Sequence, residues 1–162
     1  MIAIAPEGKS ILLLTALLAI VCVSAAIWLN HSGVTCLWLL GLLPLAFSLW
    51  FFRDPVRHPP PQAGIVVAPA DGEIIINERV SPGPVHPYEA LKVSIFMSPL
   101  SVHVNRIPVG GTVRQVMHHD GSFEAAFKDK ASLENERQYI AIDSPYGLVG
   151  CVQIAGWLAR RI

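Results

Sequence analysis

The sequence predicts an N-terminal two-helix transmembrane hairpin followed by a mainly-β (β-rich α+β) domain on the cytoplasmic side, incomplete at its C-terminus. Three observations predict it. Residues 11–52 form two apolar runs without a charged residue, parted by Asn30-His31-Ser32-Gly33. From residue 65 onward, short strand-like runs alternate with Gly/Pro turns. The chain then stops at Ala159-Arg160-Arg161-Ile162, where another strand-like run has just begun, so the C-terminus reads as premature.

Composition agrees. The 162 residues are 52% hydrophobic and 15% charged, with a mean hydropathy of +0.49. That is too apolar for an ordinary soluble domain, and the excess lies between Ile11 and Phe52. A net charge of +0 without a Lys/Arg block excludes a nucleic-acid partner. Cys22, Cys36 and Cys151 form no C-x-x-C. A disulfide framework and a zinc site are therefore not expected, a reducing compartment fits, and the cysteines read as three small buried hydrophobes.

Residues 1–10 form a short N-terminal segment. Residues 11–29 span roughly the thickness of a bilayer core at about 1.5 Å per residue. Residues 34–52 form a second run of similar length, with Pro44 inside it. A cleaved signal peptide is the competing reading of the first run, but that run exceeds a usual signal core and a second follows at once. Lys9 flanks one end and Arg53, Arg57 and His58 the other, while the turn has no Lys or Arg. The positive-inside rule then puts both outer ends in the cytoplasm, on the inner face of the cell membrane. Trp50, Phe51 and Phe52 suit the interface. Residues 53–64, with Pro59-Pro60-Pro61, make a stiff extended linker.

The β-rich domain occupies residues 65–162. Strands are expected at 65–67, 73–76, 93–97, 102–107, 112–117, 138–143 and 148–155. Turns fall at Ala68-Pro69-Ala70-Asp71-Gly72, Pro108-Val109-Gly110-Gly111, Gly121-Ser122 and Ser144-Pro145-Tyr146-Gly147. Residues 81–87 read as a loop, and residues 123–135 carry the one soluble helical pattern. No long repeat is legible.

Residues 92–106 hold the most unusual chemistry. A buried strand at 93–97 breaks at Ser98-Pro99. Alternation then puts His103, Asn105 and Ile107 on one face and Val102, Val104 and Arg106 on the other. His103 is either a hydrogen-bonded core residue or a general base. Asp71 is either a turn former or a carboxylate that orients such a base. Arg106, Arg160 and Arg161 could hold phosphate or carboxylate, or simply be solvated. His118-His119-Asp120 suggests a metal at first sight, but neighbours on a strand point to opposite faces, so no metal site is expected. Glu134-Asn135-Glu136-Arg137 reads as a surface ion-pair cluster. Asp129-Lys130-Ala131 carries a weak lipoyl-carrier signal.

Taken in order, these segments resemble the short, membrane-anchored phosphatidylserine decarboxylase proenzymes of bacteria and archaea. The resemblance rests on Phe51-Phe52-Arg53-Asp54-Pro55, Pro69-Ala70-Asp71-Gly72, Ile95-Phe96-Met97-Ser98-Pro99 and Val102-His103-Val104-Asn105-Arg106. It continues through Gly121 with Phe123, Lys130-Ala131-Ser132, Asn135-Glu136-Arg137, Gln153-Ile154-Ala155-Gly156 and Ala159-Arg160-Arg161-Ile162.

The resemblance implies conversion of phosphatidylserine to phosphatidylethanolamine and CO2 through a pyruvoyl Schiff base, in phospholipid biosynthesis. The implied cofactor is a covalent pyruvoyl group, formed when a proenzyme cuts itself at a Gly-Ser bond and leaves the group on a small partner chain. The C-terminal Phe-Gly-Ser segment that supplies it in the family is not among these residues, and Gly121-Ser122 lies mid-chain, so the isolated chain is expected to be inactive. The implied roles are proton transfer in decarboxylation for His103 and self-processing for Asp71. Asn105, Arg106, Arg160 and Arg161 are candidates for binding substrate. Longer relatives carry a second histidine where this chain has Arg106, which leaves His103 a candidate for both steps and His119 an alternative. The implied partners are a phospholipid membrane, phosphatidylserine and the small pyruvoyl-bearing chain. A non-catalytic, membrane-bound lipid-binding β module is the competing function.

Overall fold

The structure is a computed structural model that describes residues 3–29, 35–83, 86–124 and 134–162. It divides into two compact units, Met1–His58 with Leu100–Val104, and Pro59–Pro99 with Asn105–Ile162.

The first unit is a helical pair closed at its base by a short ladder. Strand β1 (Ala3–Ile4) leads through a 3-10 turn, Pro6–Gly8, into helix α1 (Lys9–Leu29). Helix α2 (Thr35–Phe51) runs back and ends in β2 (Arg53–Asp54). β1 and β2 pair antiparallel, Ile4 with Arg53 and Ala3 with Asp54. The Ala5 N–H donates to the Phe52 carbonyl at 2.9 Å. The chain entering α1 is thus laced to the chain leaving α2.

The helices meet through small side chains. α1 buries Ala19, Cys22 and Ala26. Opposite them, a Cβ on Gly41 would lie 2.8 Å from the Ala19 Cα and 3.0 Å from the Cys22 Cβ. Small residues allow backbones this close. Most large side chains point outward; Leu13 is 75% and Trp28 84% exposed. The Thr15 and Ser48 hydroxyls donate to carbonyls one turn back, Ile11 at 2.9 Å and Pro44 at 2.8 Å, which keeps them satisfied without water. Pro6–Leu29, 24 residues, is long and apolar enough to cross a membrane; α2 is apolar over Cys36–Phe51 and falls short of that length. One long span and one shorter helix therefore replace the two equal runs expected. The turn expected at 30–33 lies outside the described residues. Cys22 is buried, but Cys36 is exposed and Cys151 half-buried, so the buried-hydrophobe reading does not hold for Cys36.

The second unit is built on two antiparallel hairpins of one design. β3 (Glu73–Val80) pairs with β4 (Ala90–Phe96), and β5 (Thr112–His119) pairs with β6 (Arg137–Ser144). Glu73 faces Phe96 and Ile74 faces Ile95; a bulge follows, and Ile76 resumes opposite Ser94. Thr112 faces Asp143 and Val113 faces Ile142; a bulge follows, and Gln115 resumes opposite Ala141. The repeat continues upstream. Val67 N–H donates to the Pro108 carbonyl at 2.9 Å, and Arg106 N–H donates to the Pro69 carbonyl at 2.8 Å. Exchanging Val67 with Arg106 and Pro69 with Pro108 turns one bond into the other. The two halves are thus related by a local two-fold that the sequence reading missed.

The prolines explain an error of expectation. Neither residues 65–67 nor 102–107 form a regular strand. In an antiparallel hydrogen-bonded pair each residue gives and takes a bond. Pro69 and Pro108 have no N–H, so each pair keeps one bond of two. With no strand at 102–107, alternation does not set the faces there.

A seventh strand, β7 (Gly147–Ile154), returns beside β6 across the two-residue loop Pro145-Tyr146. Gly147 sits at φ 122°, where a side chain is disfavoured. β6 is the centre of the three-stranded sheet, and Ala141 and Ile142 on it are buried. β4 is longer than expected and not buried: Leu91 is 66% and Val93 47% exposed, and among the described residues its sheet has two strands. Residues 156–162 form no strand; Gly156 N–H donates to the Ala159 carbonyl instead. Phe123 and Glu124 are not helical, and residues 125–133 of the expected helix are outside the described residues.

Gly72 and Gly111 occupy matching places, each pressed against the end of the partner strand, at the Phe96 and Asp143 carbonyls. Gly72→Val and Gly111→Val should each destabilise the protein by about 1–3 kcal/mol, read by denaturant unfolding of the full chain in detergent. Wild-type stability in both would show that the close approach is not needed.

Candidate active site

His103 belongs to the helical unit. Its ring stacks on Phe51 at the end of α2, centroids 4.2 Å apart and planes 25° apart. Phe51 is itself buried among Phe47 and Phe52. The His103 Nδ1 lies 3.0 Å from the Ser101 carbonyl. A carbonyl can only accept, so Nδ1 carries the hydrogen and Nε2 holds the lone pair. Burial pushes the imidazole below the ordinary histidine value; the Ser101 bond works the other way, and the Arg53 charge adds to the lowering. The result is a neutral, oriented imidazole whose Nε2 can take a proton and return it.

Asp71, Asn105 and Arg106 lie in the β unit. The Arg106-to-Pro69 bond sets Asn105 and Arg106 beside the Pro69-Ala70-Asp71-Gly72 turn. The local two-fold makes Asp71 the counterpart of Gly110. The Asn105 Oδ1 is buried without a hydrogen-bond partner among the described residues, so it is an acceptor in want of a donor. A cavity of about 300 Å³ lies near the second turn, lined by Pro59, Pro60, Val67, Ile107 and Pro108 among others.

The sequence places Asn135 in the family resemblance but gives it no role. It is 0% exposed. Its Nδ2 donates to the Glu124 carbonyl at 2.8 Å and the Ala155 carbonyl at 2.7 Å. Its Oδ1 accepts from the Ser122 hydroxyl and the Glu124 N–H, both at 3.0 Å. One amide thus joins three segments far apart in sequence. The expected surface ion-pair cluster at 134–137 is, at Asn135, a buried polar hub. Arg160 stands in the same region, its guanidinium 5.2 Å above the Phe123 ring and its Nε donating to the Trp157 carbonyl at 3.0 Å. Arg161 is exposed. Apart from the family resemblance, composition and periodicity do not distinguish Asn135 from a surface asparagine.

His118 and His119 do part, as strand neighbours should. The His118 Nε2 is 3.6 Å from Asp120 and 3.8 Å from Glu136, while His119 packs edge-on against Tyr139. Lys130 lies outside the described residues.

The sequence model of the phosphatidylserine decarboxylase family matches residues 45–162. A phosphatidylserine decarboxylase proenzyme of Chlorobium phaeovibrioides is 54% identical over 121 residues, 73% of this chain and 53% of that protein. The proenzyme of Chlorobaculum tepidum is 42% identical over 159 residues, 98% of this chain and 73% of its own length. That of Ralstonia nicotianae is 47% identical over 132 residues, 81% of this chain and 60% of its own. The chain belongs to the phosphatidylserine decarboxylase family, decarboxylases of phospholipid biosynthesis. It spans about half to three quarters of the length of these relatives.

Two outcomes follow. Asn135→Asp keeps the shape but turns a carboxylate toward two carbonyls; it should cost on the order of 3 kcal/mol, measured by denaturant unfolding. For His103 the folded state binds fewer protons than the unfolded state below about pH 6.5. Its contribution is therefore intact above that pH and lost as pH falls through the lowered folded value. Thermal unfolding from about pH 7.5 to about pH 5 should show this loss in wild type and a flatter profile in His103→Gln; parallel profiles would contradict it.

Proposed function

We propose that this chain is the large-chain portion of a pyruvoyl-dependent phosphatidylserine decarboxylase, which forms phosphatidylethanolamine and CO2 at the cytoplasmic membrane. The observation that carries the reading is His103: a family-matched histidine held neutral, with one nitrogen tied down and the other open. The pyruvoyl group, carried by the small chain from a serine outside these 162 residues, would supply an electron sink for the pair left on the substrate when CO2 departs. This chain's part is to bind, orient and move a proton. His103 Nε2 handles the proton that replaces CO2. The Asn105 Oδ1 fits a group that brings an N–H, as the substrate amine or the peptide amide bearing the pyruvoyl group does, so the residues present suit it. Arg106, Arg160 and Arg161 suit the phosphate and carboxylate of the head group. Asp71 acts in self-processing.

The organisation we propose is a cytoplasmic segment at 1–10, a transmembrane hairpin at 11–52, a linker at 53–64 and the decarboxylase domain at 65–162 on the cytoplasmic face. The β1–β2 ladder supports a common side for the two outer ends, and the outward-facing leucines support a lipid surround. A substrate that stays in the bilayer makes such anchoring useful.

The test uses the full-length proenzyme in membranes, with CO2 release and chain cleavage read separately. His103→Ala should lose CO2 release by roughly 10²- to 10⁴-fold. Asp71→Asn should stay uncleaved on a gel. Full release from the first would remove His103 from the mechanism; normal cleavage of the second would remove Asp71 from processing.

A further inference from the structure

We propose that Arg53 is a positioning residue for His103, clamping residues 100–104 to the end of α2 through Trp50 and the Leu100 carbonyl. The proposal rests on the reading of His103 as the proton-transfer residue. The Arg53 Nη1 donates to the Trp50 carbonyl at 2.6 Å and its Nη2 to the Leu100 carbonyl at 2.8 Å. The guanidinium carbon lies 4.0 Å from the Trp50 ring centroid. The Trp50 Nε1–H donates to the same Leu100 carbonyl at 3.1 Å. Two side chains thus converge on one backbone oxygen, and one of them is stacked on the other. The backbone of Arg53 is fixed in turn by its pairing with Ile4.

Leu100 is joined directly to Ser101, whose carbonyl holds the His103 Nδ1–H. Phe51, beside Trp50 on α2, holds the face of the ring. Moving Leu100 therefore moves the acceptor that selects the tautomer while the stacking partner stays in place. Arg53 is also the charge that bears on the imidazole among the described residues. An arginine that merely marked the cytoplasmic side of a membrane would need none of this geometry.

The experiment compares Arg53→Met with wild-type full-length protein in phosphatidylserine-containing nanodiscs. Histidine-labelled NMR, with the His103 signal assigned by its loss in His103→Gln, reads the tautomer; CO2 release reads kcat and KM. Arg53→Met should show a tautomer mixture and a kcat lowered roughly ten- to hundred-fold with KM within about twofold. Arg53→Lys keeps the charge but not the planar fork; it should not recover the tautomer. Trp50→Phe, which removes one donor and keeps a ring, should shift the tautomer less, and it carries the test if Arg53→Met does not fold. An unchanged tautomer in Arg53→Met overturns the proposal whatever happens to activity. Full activity in His103→Ala overturns the functional reading instead, and leaves the clamp to be judged by the NMR alone.

Discussion

Two hydrogen bonds tie the halves of the β unit together, Val67 to Pro108 and Arg106 to Pro69. They anchor the matching turns of the two hairpins. They set the register of two turns, each turn presses a glycine against a strand end, and each glycine starts a strand that bulges at the same place. The prolines halve the ladder but also stiffen the chain at the crossing. A full strand there would run straight on. Half a ladder lets the chain leave the pairing at once, toward a turn on each side.

The helical unit solves a different problem with equally little polar contact. Its backbones meet over Ala19, Cys22 and Gly41, while large side chains face out. Such packing draws little on the hydrophobic effect, since the apolar surface is mostly left uncovered; close van der Waals contact does the holding, as between helices in lipid. The polar work gathers at the base of the pair, where β1 and β2 close the ends and Arg53, Trp50 and the Leu100 carbonyl meet. Residues 100–104 are carried there although the chain on either side belongs to the β unit.

The legible parts of the fold were those written by periodicity. The long helix, the β-rich remainder, the Pro145-Tyr146 hairpin and the strands from residue 112 on follow from apolar runs and turn residues. What escaped was written in backbone geometry. The repeat left little in side chains beyond Pro69 and Pro108 or Gly72 and Gly111, because a backbone hydrogen bond does not require a particular side chain. Residues 102–107 alternate like a strand, yet a proline across the way removes the bonds that would make them one. His103 and Asp71 could be singled out as residues able to do chemistry. Asn135 could not, since its role depends on Glu124 and Ala155 arriving from elsewhere in the chain.

The repeat also bears on the plainest alternative for Asp71, that it serves only to close its turn. An aspartate commonly does so by bonding its own backbone. But the matching turn, Pro108-Val109-Gly110-Gly111, leads into the same bulged hairpin with Gly110 in the aspartate's place. That glycine has nothing within 4 Å of where its Cβ would stand. The frame therefore closes without a carboxylate. Its proline bond and its final glycine, both common to the two copies, are enough to shape it. A carboxylate that only one copy carries is therefore not what gives the two turns their common shape.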